Sequence, residues 1–238
     1  MFAFGFLTTG LAPWLMVSRS TPSTVGEFTS VPYEFEDYFK DPAEYEKAVY
    51  RGRDIYVREA CWHCHSQYIR PVANEALFYG AVSTAGEYEN KLQLPQLFGT
   101  RRVGPDLIRI SGKYSNDWHF AHFFRPRDVV PDSVMPEYRW FFEKTDRFWV
   151  FRADGSSMCR TAECTYSADE AKDAIEFFQS DDAQRAQDEG RADPKHQYRT
   201  EPAWKPNNDG IAIVAYIQWL GSWLPNGGRP DPLATTVR

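Results

Sequence analysis

The sequence has no polybasic stretch, no internal repeat, no strand-rich run and, beyond its first residues, no segment apolar enough to cross a membrane. Its 27 lysines and arginines stand against 33 acidic residues, a formal net charge of −6 with the two signs interspersed along 238 residues. That balance excludes a nucleic-acid-binding face and any charged tail. Cysteine is scarce too, with four in two close pairs, Cys61 with Cys64 and Cys159 with Cys164. Pairs so close leave three readings: a metal site, a disulfide or a covalent cofactor. What is present is apolar and aromatic in quantity, 42% and 16% of the chain, enough to build a core.

Residues 2–17 are uncharged and mostly apolar, with Pro13 near the end and Arg19 closing the run. A membrane-spanning helix needs about 20 such residues. No basic segment precedes the run and no small-residue cleavage site follows, so it makes a poor signal peptide. It reads as the outer part of a membrane anchor, residues 1–18, continued upstream or shielded by partner helices; the plainer alternative is a leader or a helix buried in protein. Residues 19–41, rich in Ser, Thr, Pro and aromatics, read as an extended linker.

Four helices are expected. Asp41-Pro42 opens the first, with an acidic cap and proline at the first helical position. Its apolar face carries Tyr45, Ala48, Val49, Gly52, Ile55 and Tyr56, and it runs into Cys61. Ser115 caps the second, stopped by Arg125-Pro126. Ser167 to Glu170 is a capping box that starts the third, ending near Gly190. Asn208-Asp209 opens the last, stopped by Gly221. Gly52 faces Tyr216 and Trp219 of that helix, and a glycine opposite aromatics allows a close crossing. The expected fold is all-α: a helical domain (42–140 and 207–222) with an N-terminal transmembrane anchor, an inserted loop and helix region (141–206) and a tail (223–238).

The haem enters through Cys61-Trp62-His63-Cys64-His65, a C-x-x-C-H motif. Two thiols three positions apart on one turn reach the two vinyl groups of a single porphyrin, and the following His65 lies under the iron. A zinc site would require both cysteine pairs to meet in space, and His65 directly after Cys64 favours the haem. For the sixth iron ligand the candidates are Met135, Met158, His119, His122 and His196. Met135 leads, because Pro136 stiffens the loop presenting its sulfur. Methionine–histidine ligation raises the reduction potential and fills the coordination sphere. The carbonyl of Pro105, in Gly104-Pro105-Asp106-Leu107, is a candidate acceptor for the His65 ring N–H. Arg101, Arg102, Tyr114 and Trp118 are candidate partners for the haem propionates.

The sequence resembles the mono-haem cytochrome c subunit, subunit II, of cbb-type haem–copper cytochrome c oxidases. The likeness is carried by Gly52-Arg53-Asp54-Ile55-Tyr56 and by Cys61-Trp62-His63-Cys64-His65-Ser66-Gln67-Tyr68-Ile69-Arg70-Pro71. It continues in Tyr79-Gly80, Ala85-Gly86-Glu87, Arg102-Val103-Gly104-Pro105-Asp106-Leu107 and Tyr114-Ser115-Asn116-Asp117-Trp118-His119. Pro126-Arg127-Asp128-Val129-Val130-Pro131, Met135-Pro136 and 213–218 complete it. The resemblance implies that the helical domain is a class I cytochrome c-like haem domain with one haem c, held covalently by Cys61 and Cys64, with His65 and Met135 on the iron. It implies electrons received from a further c-type cytochrome subunit and passed to the catalytic haem–copper subunit, where oxygen chemistry occurs; no catalysis is expected on this chain. It places the haem domain on the periplasmic side of the cytoplasmic membrane and adds calcium at a subunit contact. In that oxidising compartment Cys159 and Cys164, within a stretch that departs from the family pattern, are expected to form a disulfide. Three rival functions remain: a stand-alone tethered carrier, a subunit of another respiratory complex such as a nitric oxide reductase, and a haem peroxidase.

Overall fold

The computed structural model describes residues 2–12, 15, 26–72, 74–99, 101–152, 165–190 and 198–225. The expected Cys159–Cys164 disulfide, Met158 and His196 lie outside those residues. The chain divides into two compact units, Met1–Ser115 with Ala212–Arg238, and Asn116–Ile211.

In the first unit, helix α1 spans Pro42–Arg58. The Asp41 carboxylate accepts from the N–H groups of Ala43 and Glu44, both at 2.9 Å, satisfying donors that the first turn leaves unpaired. Its buried face is Tyr45, Val49, Gly52, Ile55 and Tyr56. At Gly52 this face meets the backbone of the last helix, which spans Asn208–Trp219 and from Ala212 onward belongs to the first unit. A Cβ on Gly52 would stand 2.0 Å from the Ala212 carbonyl oxygen and 2.6 Å from the Tyr216 Cβ. Glycine is therefore what allows these two backbones to touch. The Tyr56 and Tyr216 rings then meet edge to face at 5.5 Å, and every residue from Ala212 to Leu220 is buried. A helix apolar on all sides is stable only when enclosed in this way.

The segment before α1 also packs. Phe35 is wholly buried and lies 5.5 Å from the Tyr45 ring. Phe28 packs on Tyr45 and Trp219, and the Trp219 indole N–H donates to the Gly26 carbonyl at 3.0 Å.

In the second unit, helix α2 (Asn116–Phe124) is followed by strand β1 (Phe142–Arg152), helix α3 (Ala168–Asp188) and strand β2 (Tyr198–Pro206). The capping box forms at the start of α3: the Glu170 N–H donates to the Ser167 hydroxyl at 3.2 Å and the Ser167 N–H to the Glu170 carboxylate at 2.7 Å. The interior is aromatic, with Phe123 against Tyr138 and Phe141, and Phe124 against Phe142, Trp149 and Trp204.

Two expectations are corrected. The fold is not all-α: β1 and β2 pair antiparallel, Phe142 opposite Pro206 and Phe148 opposite Pro202. Two features hid this ribbon. A register shift between Lys144 and Phe148 breaks the alternation that marks a strand, and β2 carries two prolines, tolerated because a two-stranded ribbon is all edge. The N-terminal transmembrane anchor is likewise unsupported. Among the described residues no helix is long and apolar enough to cross a membrane. Phe2–Phe6 is a short α-helix continued by a wider π turn, Leu7–Leu11. There the Thr8 and Thr9 hydroxyls donate back to the carbonyls of Phe4 and Gly5.

Candidate haem site

Helix α1 stops because Ala60 turns left-handed, with φ +57°. A residue with a Cβ adopts that conformation at a cost of about 1–2 kcal/mol, which packing on both sides must offset. The reversal starts a tight turn, Cys61–His63. The N–H groups of Cys64 and His65 both donate to the Cys61 carbonyl, at 3.1 and 3.0 Å. One turn thus carries the two thiols and the imidazole. Both thiols are free. Burial, then the nearby Glu59 carboxylate, pushes the Cys61 thiol up to about 12, so it is uncharged at neutral pH. The His63 ring stacks on Trp62 at 3.9 Å, as suits a spacer.

His65 is held by the 104–107 loop. Its Nδ1 lies 2.8 Å from the Pro105 carbonyl oxygen. A carbonyl only accepts, so Nδ1 carries the proton and Nε2 presents its lone pair. Burial lowers the His65 pKa, opposed by the Pro105 hydrogen bond and the Asp106 charge. The neutral ring is the form that coordinates a metal. Gly104 makes the fit possible: a Cβ there would stand 2.3 Å from the His65 Cε1. Gly99, at φ +76°, would bring a Cβ within 2.8 Å of the His65 carbonyl oxygen. Backbone bonds from Gly104 N–H to the Cys64 carbonyl (3.0 Å) and from Leu107 N–H to the Ser66 carbonyl (2.9 Å) zip the loop onto the motif.

Beneath that zipper lies a charged lattice. The Asp106 carboxylate accepts from the Ser66 hydroxyl (2.5 Å) and from the N–H groups of Tyr68 and Ile108 (2.9 Å each). Arg102 donates to the Ser66 hydroxyl oxygen (2.6 Å), the Tyr68 carbonyl (2.7 Å) and Glu75 (2.8 Å). Arg70 also pairs with Glu75. Hydrogen bonds from Arg102 and then Arg70 hold the Glu75 carboxyl well below the usual carboxylate range. Further along, the Gln67 side-chain amide pairs with the Tyr216 hydroxyl at 3.0 Å, tying the motif to the last helix.

Residues 37–224 match a family described as the cytochrome c oxidase mono-haem subunit, FixO. The chain belongs to the FixO family. It is the family that the resemblance indicated, the mono-haem subunit of cbb-type oxidases. Membership brings one haem and a complex with the catalytic subunit of the oxidase. Among curated proteins, none matches the chain.

The residues present fit a haem. Gly104 lets the loop backbone lie against the imidazole where any Cβ would collide with it, the Pro105 carbonyl fixes its tautomer, and two free thiols share its turn. Of the other residues singled out, Arg101 is exposed and Arg102 is engaged in the lattice. The Tyr114 carbonyl accepts from the Gln218 side chain at 2.8 Å. Trp118 and Met135 belong to the second unit. There Trp118 stacks flat on His122 at 4.7 Å, and the half-buried Met135 donates its N–H to the Ser133 hydroxyl at 3.2 Å. Neighbouring His119 is driven down to about 4, by burial and then by His122. Among the described residues no cluster of three or more metal-ligating side chains occurs.

Ser66, Glu75 and Asp106 had no assigned part in the sequence reading. A signal existed for Asp106: an Asp after Gly-Pro favours a turn in which its carboxylate caps the N–H two residues on, as it does at Ile108. Glu75 carries no such local mark.

Proposed function

We propose that the chain is the electron-transferring subunit of a cbb-type oxidase. Cys61 and Cys64 would hold one haem c through thioether bonds, and His65 and Met135 would supply the iron ligands. Haem c, when bound, supplies a centre that takes up and releases single electrons. The residues around it do the rest. Pro105 keeps the proton on Nδ1 of His65, so Nε2 stays a ligand. Gly104 lets the loop close on the ring and Gly99 lets it close on the backbone of the motif, and a fixed ligand keeps reorganisation on electron transfer small. Methionine as sixth ligand leaves no open position, so oxygen reduction belongs to the catalytic subunit. Electrons arrive from a further c-type cytochrome and leave to that subunit. The partner complex holds the chain at the cytoplasmic membrane, with the haem on the periplasmic side.

The observation that carries the reading is the His65 Nδ1 to Pro105 contact at 2.8 Å, immediately after a C-x-x-C pair with both thiols free. The test is expression with a c-type cytochrome maturation system. Mass spectrometry should show one haem added, and the ferrous spectrum should not change on adding carbon monoxide. Loss of covalent haem in Cys61→Ala with Cys64→Ala is expected. A carbon monoxide adduct in the unaltered protein would remove Met135 as ligand and favour a peroxidase-like enzyme. Isolation of the native complex with oxygen uptake supports the oxidase partner; a reductase in its place overturns it.

A further inference from the structure

The Asp106 side chain is wholly buried, and its hydrogen bonds come from three neutral groups, with the Arg102 guanidinium at 3.5 Å as its nearest cation. It follows directly on the carbonyl that accepts the His65 ring proton. The loop does not depend on Asp106 alone for its place, because two backbone bonds zip it to the motif. A buried carboxylate kept where neutral groups would also serve implies a use for its charge.

We propose that Asp106, with Arg102 as counter-ion, is a positioning residue for His65 that also sets the local potential of the haem. This rests on the haem reading above. Asp106 anchors the backbone behind Pro105, which keeps the carbonyl aimed at Nδ1–H. Its negative charge lies on the His65 side of the site. Oxidation of the centre sends one electron to an external one-electron acceptor, such as a second haem, and leaves one added positive charge with no proton moved. A fixed anion behind the axial ligand favours that oxidised state. Arg102 opposes it, and Glu75 in turn moderates Arg102 through its 2.8 Å pair. In a buried setting such charges act with little screening.

The experiment is a redox titration of the purified holoprotein, followed by absorbance, with Asp106→Asn, Arg102→Gln and the double variant. Asparagine retains the shape and one acceptor. Asp106→Asn should lower the oxidised-to-reduced ratio at fixed potential by about tenfold, a rise of ~59 mV for one electron. Arg102→Gln should shift it the opposite way, Arg102→Lys should stay within twofold of the parent, and the double variant should return towards it. A merely structural role predicts lower melting temperatures and shifts of one sign, because loosening the ligand does not distinguish the two charges. Shifts of the same sign, or all under twofold, overturn the inference while the haem reading stands. Should Asp106→Asn fail to take up haem, the two Arg102 variants alone decide the sign. An unaltered protein that takes up no covalent haem overturns the haem reading and this inference together.

Discussion

The two units handle charge in opposite ways. In the first, Arg109 and Glu87 meet at 2.6 Å with side chains only 1% and 5% exposed, and Asp106 is fully enclosed. In the second, pairs among the described residues lie towards solvent: Arg147 with Glu170 at 47% and 60% exposure, Lys205 with Glu143 at 61% and 55%. The second unit's interior is instead aromatic. Buried ion pairs are an inefficient way to gain stability, since desolvation cancels most of the attraction. They fix geometry well, because each partner must stay within hydrogen-bonding reach of the other. The unit that carries the C-x-x-C-H turn uses them, whereas the ion pairs seen among the described residues of the unit built on a ribbon and a long helix are partly or largely exposed. Rigidity around His65 accounts for that difference better than stability does.

The strongest way to break the contrast is at Arg109. Its guanidinium donates twice to Glu87, at 2.6 and 3.0 Å, and also to the Ile108 carbonyl. Burial raises the Glu87 pKa, but hydrogen bonds from Arg109 and Thr84 outweigh it and leave the carboxyl below its ordinary value. Arg109→Met strands that charge and should cost about 3–5 kcal/mol in denaturant unfolding. Arg109→Met with Glu87→Leu should recover most of the loss. If the double variant is as unstable as the single, the pair supplies stability and not only geometry.

A buried titratable group of the second unit, His119, sharpens the comparison. Burial, then His122, lowers His119 from 6.5 to about 4. The unfolded chain therefore binds a proton in a pH range where the folded chain does not. Stability from the neutral His119 is complete above about pH 6.5 and is lost as pH falls towards 4, on the order of 2–3 kcal/mol in all. Glu75, whose folded pKa is depressed, contributes the same sense of change but at lower pH, below about 4.5. Unfolding midpoints measured from pH 7 to 4 should fall, and His119→Gln should flatten the upper part of that curve. An unchanged slope in that variant would assign the loss to other groups.

What the sequence made legible follows from range. Helix α1, its Asp41 cap and the Gly52 crossing rest on local periodicity and on one residue whose missing Cβ has a single use. The approach of Pro105 to His65 spans 40 residues yet was readable, because Gly-Pro-Asp-Leu is a short motif with a mechanical meaning. The ribbon was not readable: its strands contain charges, two prolines and an irregular register, and only the pairing of distant segments reveals them. The Asp106, Arg102 and Glu75 lattice escaped for a related reason. Charged residues in a sequence default to the surface, and their burial shows only once partners far along the chain are in place.

The smallest expected effect tests the other side of the comparison. Lys205 and Glu143 lie 3.0 Å apart across the ribbon, both more than half exposed. Water screens the pair, and ordering two long side chains offsets most of the attraction. Lys205→Ala, Glu143→Ala and the double variant should therefore give a coupling of about 0.5 kcal/mol or less, declining further in 0.5 M salt. The same cycle at Arg109 and Glu87 should give a coupling several times larger with little salt dependence, since salt does not reach a buried pair. Equal couplings at the two sites would mean that burial does not separate the units, and the distinction drawn between them would fail.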